Sequence, residues 1–418
     1  MPMSAVFKQR LFPTLAEIAT HFGTPFHIYD EVGIRETGAA LKDAFANIHA
    51  FREFFAVKAL PNPYILSILR DLGFGFDCSS VPELILSRQV GARGADIMFT
   101  SNNTTSEEFH AALADEGCIL NLDDISLLRS LPSIPPLLSF RYNPGARRTG
   151  NAIIGNPIEA KFGVSHDQLR EAYRQARDLG VQRFGLHTML VSNERNYTYM
   201  LQTTQMLLEL VSELSEVLGI SFDFINIGGG LGIPYRPDDT PLDLESLGRG
   251  IQYLFTQAAG NPPRLYMESG RYLTGPHGVL VTRVINRKET YRTYIGVDAS
   301  MSALMRPGMY GAYHHIAPLI QREDTEIVDV VGALCENNDK FAIQRMLPRV
   351  EVNDLLTIHD TGAHGHAMGF TYNGRLRPKE LLLCGDGSVK LIRRAETPED
   401  YFATLHFEPE MLRPMGKS

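Results

Sequence analysis

Between about residues 50 and 275 the chain alternates short apolar runs with stretches of helical periodicity. The runs are FREFFAV before Lys58, FGF before Asp77, IMF before Thr100 and CILNL before Asp123. They continue with LLSF before Arg141, RFGL before His187, FDFINI before Gly228 and RLYM before Glu268. Eight short runs of this kind are what strands buried on both faces of a parallel sheet look like.

The intervening segments carry helix signals. Ser80 with Glu83, and Thr104 with Glu107, have capping-box spacing just after strands. Ser165 precedes a face of Leu169, Ala172, Tyr173 and Ala176, with Gly180 past its end. A further run places Leu207, Leu210, Val211, Leu214 and Leu218 ahead of Gly219. The repetition predicts a (β/α)8 barrel, whose active sites form at the C-terminal ends of the strands. Lys58, Asp77, Arg141, His187, the Gly228–Gly230 turn and Glu268 all fall there. A single polar residue after a strand means little, but this set together is a constellation.

After about residue 277 the pattern changes to strand-rich stretches: HGVLVTRVI, TYIGVD, EIVDVVG, DLLTIHD, ELLLC and SVKLIRR. The chain therefore divides into a barrel over 30–276 and a mostly β domain made of 1–29 and 277–418. FHIYD at 26–30 joins the second unit, because a strand there precedes the barrel.

Composition narrows the function. The 418 residues, 44% apolar and 21% charged, suit a folded protein of two domains. A formal charge of -8 argues against a nucleic-acid partner. No run is long and apolar enough for a signal peptide or a membrane span, so no membrane partner is expected. Cys78, Cys118, Cys335 and Cys384 stand far apart, which fits free thiols in a reducing, cytoplasmic setting. His166, His277, His314 and His315 form no metal-ligand pattern, and no metal is expected.

FAVKALPNP at 55–63, FDCSS at 76–80, INIGGGLG at 225–232, ESGRYL at 268–273 and CENND at 335–339 together resemble the fold-type III pyridoxal-phosphate (PLP) decarboxylases. The resemblance runs from FGTPFHIYD to LLLCGDGSVKLIRR, most of the chain. LMRPGMYGAYHHI at 304–316 and MGFTYNGRLRPKELL at 368–382 are most similar to the diaminopimelate decarboxylases of that group. The resemblance implies a barrel-plus-β-domain fold like that of alanine racemase and ornithine decarboxylase. It also implies PLP as cofactor, a small amino acid as substrate, and a homodimer whose active sites are shared.

Residue by residue, the resemblance implies that Lys58 bonds PLP as an imine. A lysine among Phe54, Phe55, Val57 and Leu60 is expected to be buried and able to lose its proton, rather than to be a snorkelling surface lysine. Gly228, Gly229 and Gly230 match a phosphate cradle, although a glycine triplet alone is as readily a tight turn. Ser192 matches a hydroxyl donor at that phosphate. Glu268 matches the partner of the pyridine nitrogen, against the plainer reading of a salt bridge to Arg271. Gly270 and Arg271 match the family's E-P-G-R motif, with Ser269 in place of proline, a swap that costs a rigid φ and no chemistry. Asp77 and Arg141 match cofactor-side positions, or else are ion pairs of the barrel mouth.

Cys335 and Glu336 match a pair that reaches the neighbouring subunit's site, the thiol returning a proton; a lone cysteine is otherwise a small buried apolar group. Arg306 and Tyr310 match contacts to the far carboxylate of diaminopimelate, and Tyr372 falls in the substrate-side tract. Two positions depart from the pattern. Met189 stands where a histidine stacks on the PLP ring, with His187 retained just before it. His364 stands where a tyrosine donates to the phosphate, and would donate more strongly when protonated. The implied activity is decarboxylation at a D-configured centre, most closely meso-diaminopimelate to L-lysine in lysine biosynthesis. D-ornithine or D-lysine is the alternative substrate, and a racemase or an inactive PLP-binding regulator are the alternative classes.

Overall fold

The computed structural model describes residues 3–406, apart from 49, 152, 259 and 261. Positions 1, 2 and 407–418, which the sequence reading gives to the second domain, lie outside the described residues. Helices Ala5–Leu11 and Leu15–Phe22 lead into strand β1 (Phe26–Asp30), and helix Glu31–Ala44 carries the chain to the barrel.

All eight apolar runs become barrel strands. They are β2 (Arg52–Ala56), β3 (Gly75–Cys78), β4 (Gly94–Phe99), β5 (Cys118–Leu122), β6 (Leu137–Arg141), β7 (Arg183–His187), β8 (Phe222–Asn226) and β9 (Arg264–Met267). Each pairs in parallel with the next, and β9 closes onto β2.

The period of two along a strand sorts the interior into layers. Phe54, Met98, Ile119, Phe224 and Tyr266 form one buried cluster apart from the main core. The Phe224 and Tyr266 rings stack at 4.4 Å. Gly185 makes room for this layer, since a Cβ there would meet the Phe224 ring at 2.1 Å. Two positions further along the same strands come Asp77, Thr100, Asn121, Ser139, His187, Asn226 and Glu268, all buried. A polar storey therefore sits on an apolar one, at the C-terminal mouth.

The rest of the chain forms β10 (Gly278–Glu289), β11 (Thr293–Val297), β12 (Ile316–Pro318), β13 (Thr325–Val331), β14 (Lys340–Pro348), β15 (Leu355–Ile358), β16 (Lys379–Leu383) and β17 (Val389–Arg393). The sheet runs β14-β13-β11-β10-β1-β16-β17, with β15 on β10 and β12 on β15. β1 lies inside it, antiparallel to β10 and parallel to β16. The six predicted stretches of this unit are strands; β12 and β14 were not anticipated.

Two helix starts differ from expectation. The capping box near residue 104 forms one position later, between Thr105 and Glu108. Ser80 makes no side-chain cap bond, and Glu83 accepts instead from the Ser79 N–H at 2.6 Å. The Ser165 box forms with Gln168 as partner.

One buried network ties the two units together. Glu380 on β16 accepts from the Tyr29 hydroxyl at 2.6 Å, from Asn62 Nδ2 at 3.2 Å and from Arg393. Arg393 also donates to the Pro61 carbonyl at 2.8 Å, so the sheet grips the loop that follows Lys58. On the other side, Phe7, Leu11, Leu15 and Ile18 pack on Phe26, Ile28, Val279, Val281 and Leu381. Phe7→Ala should lower unfolding stability by about 3–5 kcal/mol, the usual cost of emptying a phenylalanine site. Denaturant titration checks this, with the midpoint falling at unchanged slope.

Candidate active site

Glu268 follows β9 and is buried at the centre of the polar storey. Its Oε1 accepts from Asn226 Nδ2 at 2.8 Å and lies 3.3 Å from His187 Nε2. Asn226 is fixed in turn, because its Oδ1 accepts from the Gly228 N–H at 2.8 Å. Burial pushes the Glu268 carboxyl up, but His187, Lys58 and Arg141 outweigh it and the net is a carboxyl below its ordinary range. The salt bridge to Arg271 considered above does not form.

Two neighbouring carboxyls behave oppositely. Burial, with Glu268 nearby, pushes Asp77 up to about 7, against the pull of Lys58 and a side-chain hydrogen bond with Thr100. Burial pushes Glu53 up to about 8, against the bond it accepts from the Ser269 N–H. That bond corrects the reading of Ser269. A proline there would have no N–H to give, so the swap adds a donor to a buried acid.

Lys58 sits in the turn Val57–Ala59 directly after β2. It is not buried as expected: its side chain is 51% exposed, with Nζ 3.7 Å from Asp77. The turn around it is clamped while the side chain stays open to the mouth. Gly270 begins the helix Gly270–Thr274, and a Cβ there would meet the Ala59 Cβ at 2.8 Å. From the second domain the His364 N–H donates to the Ala59 carbonyl at 2.8 Å.

On the rim, Arg271 Nη2 donates to Ser192 Oγ at 3.2 Å, and its buried Nε has no partner. Arg141 lies 3.8 Å from Asp123 and 4.2 Å from the Phe162 ring centre. The glycine triplet is packed against backbone. A Cβ on Gly228, Gly229 or Gly230 would meet the carbonyl oxygens of Thr188, Glu268 or Val191 at 2.5, 2.2 and 2.5 Å. Met189 is held at this turn, its Sδ accepting from the Gly229 N–H at 3.3 Å.

His364 has a positive φ of 56°. Burial, then Arg271, Arg306 and Lys58, hold its imidazole well below the usual range. The protonated donor suggested by the sequence is therefore replaced by a neutral imidazole. Cys335 is exposed rather than buried, in the loop from β13 to β14, and its N–H donates to Asn373 Oδ1 at 2.6 Å. Tyr310 and Tyr372 are exposed as well, and Glu336 is partly so. Among the described residues none of these four makes a hydrogen bond or ion pair with Lys58 or Glu268.

Sequence reasoning passed over Glu53, Asn226 and Tyr235. The first two carry a usable signal, a polar residue inside an otherwise apolar strand run. Among the described residues no group of acids, histidines and cysteines is arranged to hold a metal, and no helix is long and apolar enough to cross a membrane.

Residues 33–275 match the family model for the pyridoxal-binding domain of pyridoxal-dependent decarboxylases. The chain belongs to that family. It is 50% identical over 98% of its length to the protein TabA of Pseudomonas amygdali pv. tabaci, covering 97% of that protein. It is 37% identical to the diaminopimelate decarboxylase of Methanothermobacter thermautotrophicus, over 92% of each chain. The crystal structure of the M. jannaschii diaminopimelate decarboxylase in complex with L-lysine superposes with a TM-score of 0.88, at 31% identity over 95% of each chain.

The protein is thus a PLP-dependent amino-acid decarboxylase, and its mouth fits the cofactor. A buried, ionised Glu268 is an acceptor for a protonated ring nitrogen. An unpartnered Arg271 Nε beside Ser192 suits a phosphate. Lys58 offers a half-exposed amine at the same mouth, with Asp77 as its neighbour.

The acids predict a pH dependence. Glu53 is raised above its unfolded value, so the folded state holds a proton that the unfolded chain releases between about pH 4.5 and 8. Its contribution therefore falls as pH rises across that window. Glu53→Gln should gain melting temperature relative to the parent as pH goes from 5 to 8; a constant difference would refute a protonated Glu53. Ser269→Pro, which strips the donor from this acid, should cost about 1–3 kcal/mol by denaturant titration.

Proposed function

We propose that this decarboxylase acts on meso-diaminopimelate, removing the carboxylate at the D-configured centre to leave L-lysine. The observation that carries the reading is Arg306. It is 4% exposed, and its recorded partners, Tyr235 and His314, are both neutral. A buried guanidinium is costly without an anion, so a second carboxylate on the substrate is the natural complement. The relatives named as diaminopimelate decarboxylases support the same substrate.

Bound PLP supplies the electron sink that accepts the pair left when carbon dioxide departs. Lys58 would tether the cofactor through its amine. Glu268, kept ionised, would accept from a protonated ring nitrogen. Arg271 and Ser192 would hold its phosphate, Met189 would offer its thioether to the ring, and Arg306 with Tyr310 would orient the far carboxylate of the substrate.

On this reading 30–276 binds the cofactor, while 1–29 and 277–418 complete the site across a two-fold dimer. Tyr310, Glu336, Cys335 and Tyr372 support it, since they lie on neighbouring loops of the β domain. A Cβ on Gly308 would meet the Asn338 carbonyl at 2.6 Å, and Asn373 caps Cys335. There Cys335 of the partner subunit would be the group that supplies a proton to the product carbon.

One observation favours a second reading. The relative at 50% identity bears a different name from those at 37% and below. With Met189 and His364 at the cofactor, a D-configured monocarboxylate such as D-lysine or D-ornithine is the alternative. Carbon dioxide release by the PLP-loaded protein decides, with meso-diaminopimelate, D-lysine, D-ornithine, L-lysine and L-ornithine offered separately. The proposal expects a kcat/KM for meso-diaminopimelate at least about 10-fold above the rest, and Arg306→Met to erase that preference. Preference for a monocarboxylate would overturn it.

A further inference from the structure

Tyr235 lies five residues beyond Gly230 and is 8% exposed. Its hydroxyl oxygen accepts from Arg271 Nη1 at 2.5 Å and from Arg306 Nη1 at 2.8 Å. The two guanidinium carbons stand 5.8 and 5.0 Å from the centre of its ring. One phenol thus joins two buried cations that reach it from different domains.

The remaining partners are neutral too. His314 donates from Nδ1 to the His359 carbonyl at 2.8 Å, which leaves Nε2 as an acceptor for Arg306 Nη1 at 3.1 Å. Burial, with Arg306 beside it, holds this imidazole well below its usual range, so the acceptor is available at neutral pH. Ser192 takes Arg271 Nη2 at 3.2 Å. Both Nη1 hydrogens of Arg306 are then spent, while its Nε and Nη2 hydrogens remain. The buried Nε–H of Arg271 is the one that suits the phosphate, so the donors left for a second anion are those of Arg306.

The phenol itself is half used. Two accepted bonds fill its lone pairs, and its own proton has no recorded acceptor among the described residues. Asp360 acts on Arg306 through its field, but burial pushes it up to about 7, and among the described residues no carboxylate bonds either guanidinium; two cations around a donor with a spare proton make a slot for an anion.

We propose that Tyr235 is a specificity residue, donating its hydroxyl proton to the second acidic group of the substrate in a slot that Arg271 and Arg306 flank. The inference rests on the reading that the substrate carries such a group. Phenylalanine would remove the donor and leave two buried N–H groups without an acceptor.

The test uses pimelate, a seven-carbon dicarboxylate without amines, so that binding is read independently of turnover. Its dissociation constant on the holoenzyme is measured by calorimetry for the parent and Tyr235→Phe, alongside kcat and KM for the preferred substrate. Expected is a rise in the pimelate constant of about 10-fold or more, the scale of a hydrogen bond to a charged group. KM should rise in parallel, with kcat changed less than about 3-fold. An unchanged pimelate constant, or a loss confined to kcat, overturns the assignment.

Should Tyr235→Phe fold poorly, 3-fluorotyrosine at position 235 keeps the shape and acidifies the phenol. Pimelate binding should then weaken at lower pH than in the parent, and an unshifted profile again overturns the proposal. If the parent binds pimelate but does not turn over meso-diaminopimelate, the substrate reading fails while the pimelate constants still decide the role of Tyr235. If the parent does not bind pimelate, the slot does not exist and the inference falls.

Discussion

The site depends on a separation of charge within one barrel mouth. Its floor is acidic, with Glu268, Asp77 and Glu53, and its rim is cationic, with Lys58, Arg271 and Arg306. If all these groups paired off, nothing would remain to bind a ligand. Apart from Lys58, whose Nζ lies 3.7 Å from Asp77, they do not pair off, because local hydrogen bonds commit them elsewhere. Glu268 is taken by Asn226 and His187, and Glu53 by the Ser269 backbone. Arg271 and Arg306 meet on Tyr235. Like charges brought to one phenol in a buried site repel. An anionic ligand would relieve that repulsion, which is why the rim reads as a binding surface.

The barrel alone does not make this arrangement. Arg306, His314 and His364 come from the second domain, and β1 fastens that domain to the start of the barrel. Glu380 and Arg393 hold the Pro61–Asn62 loop, and the His364 N–H holds Ala59. Lys58 is thus placed by backbone contacts on both sides while its amine is left exposed. A reactive lysine needs that combination, a fixed stem and a free end.

Most of the architecture was legible in the sequence. Strands buried on both faces leave continuous apolar runs, and the residue after each run is the mouth residue; Asp77, His187 and Glu268 were found that way. β14 was missed because KFAIQRMLP interrupts its apolar positions with polar ones, as a strand exposed on one face does. The expectation of a buried Lys58 failed for a different reason. Its apolar neighbours Phe54, Phe55 and Val57 belong to the strand below it, and the side chain rises past them. Tyr235 and His314 act through partners from distant parts of the chain, so no local pattern announces them.

The account places the cofactor on Lys58, between the ionised Glu268 and the arginine rim. Borohydride reduction of the PLP-loaded protein, followed by peptide mass mapping, tests this most directly. The account predicts a pyridoxyl-phosphate adduct on the peptide containing Lys58. An adduct on another lysine, or none at all in a protein that still releases carbon dioxide, would contradict it.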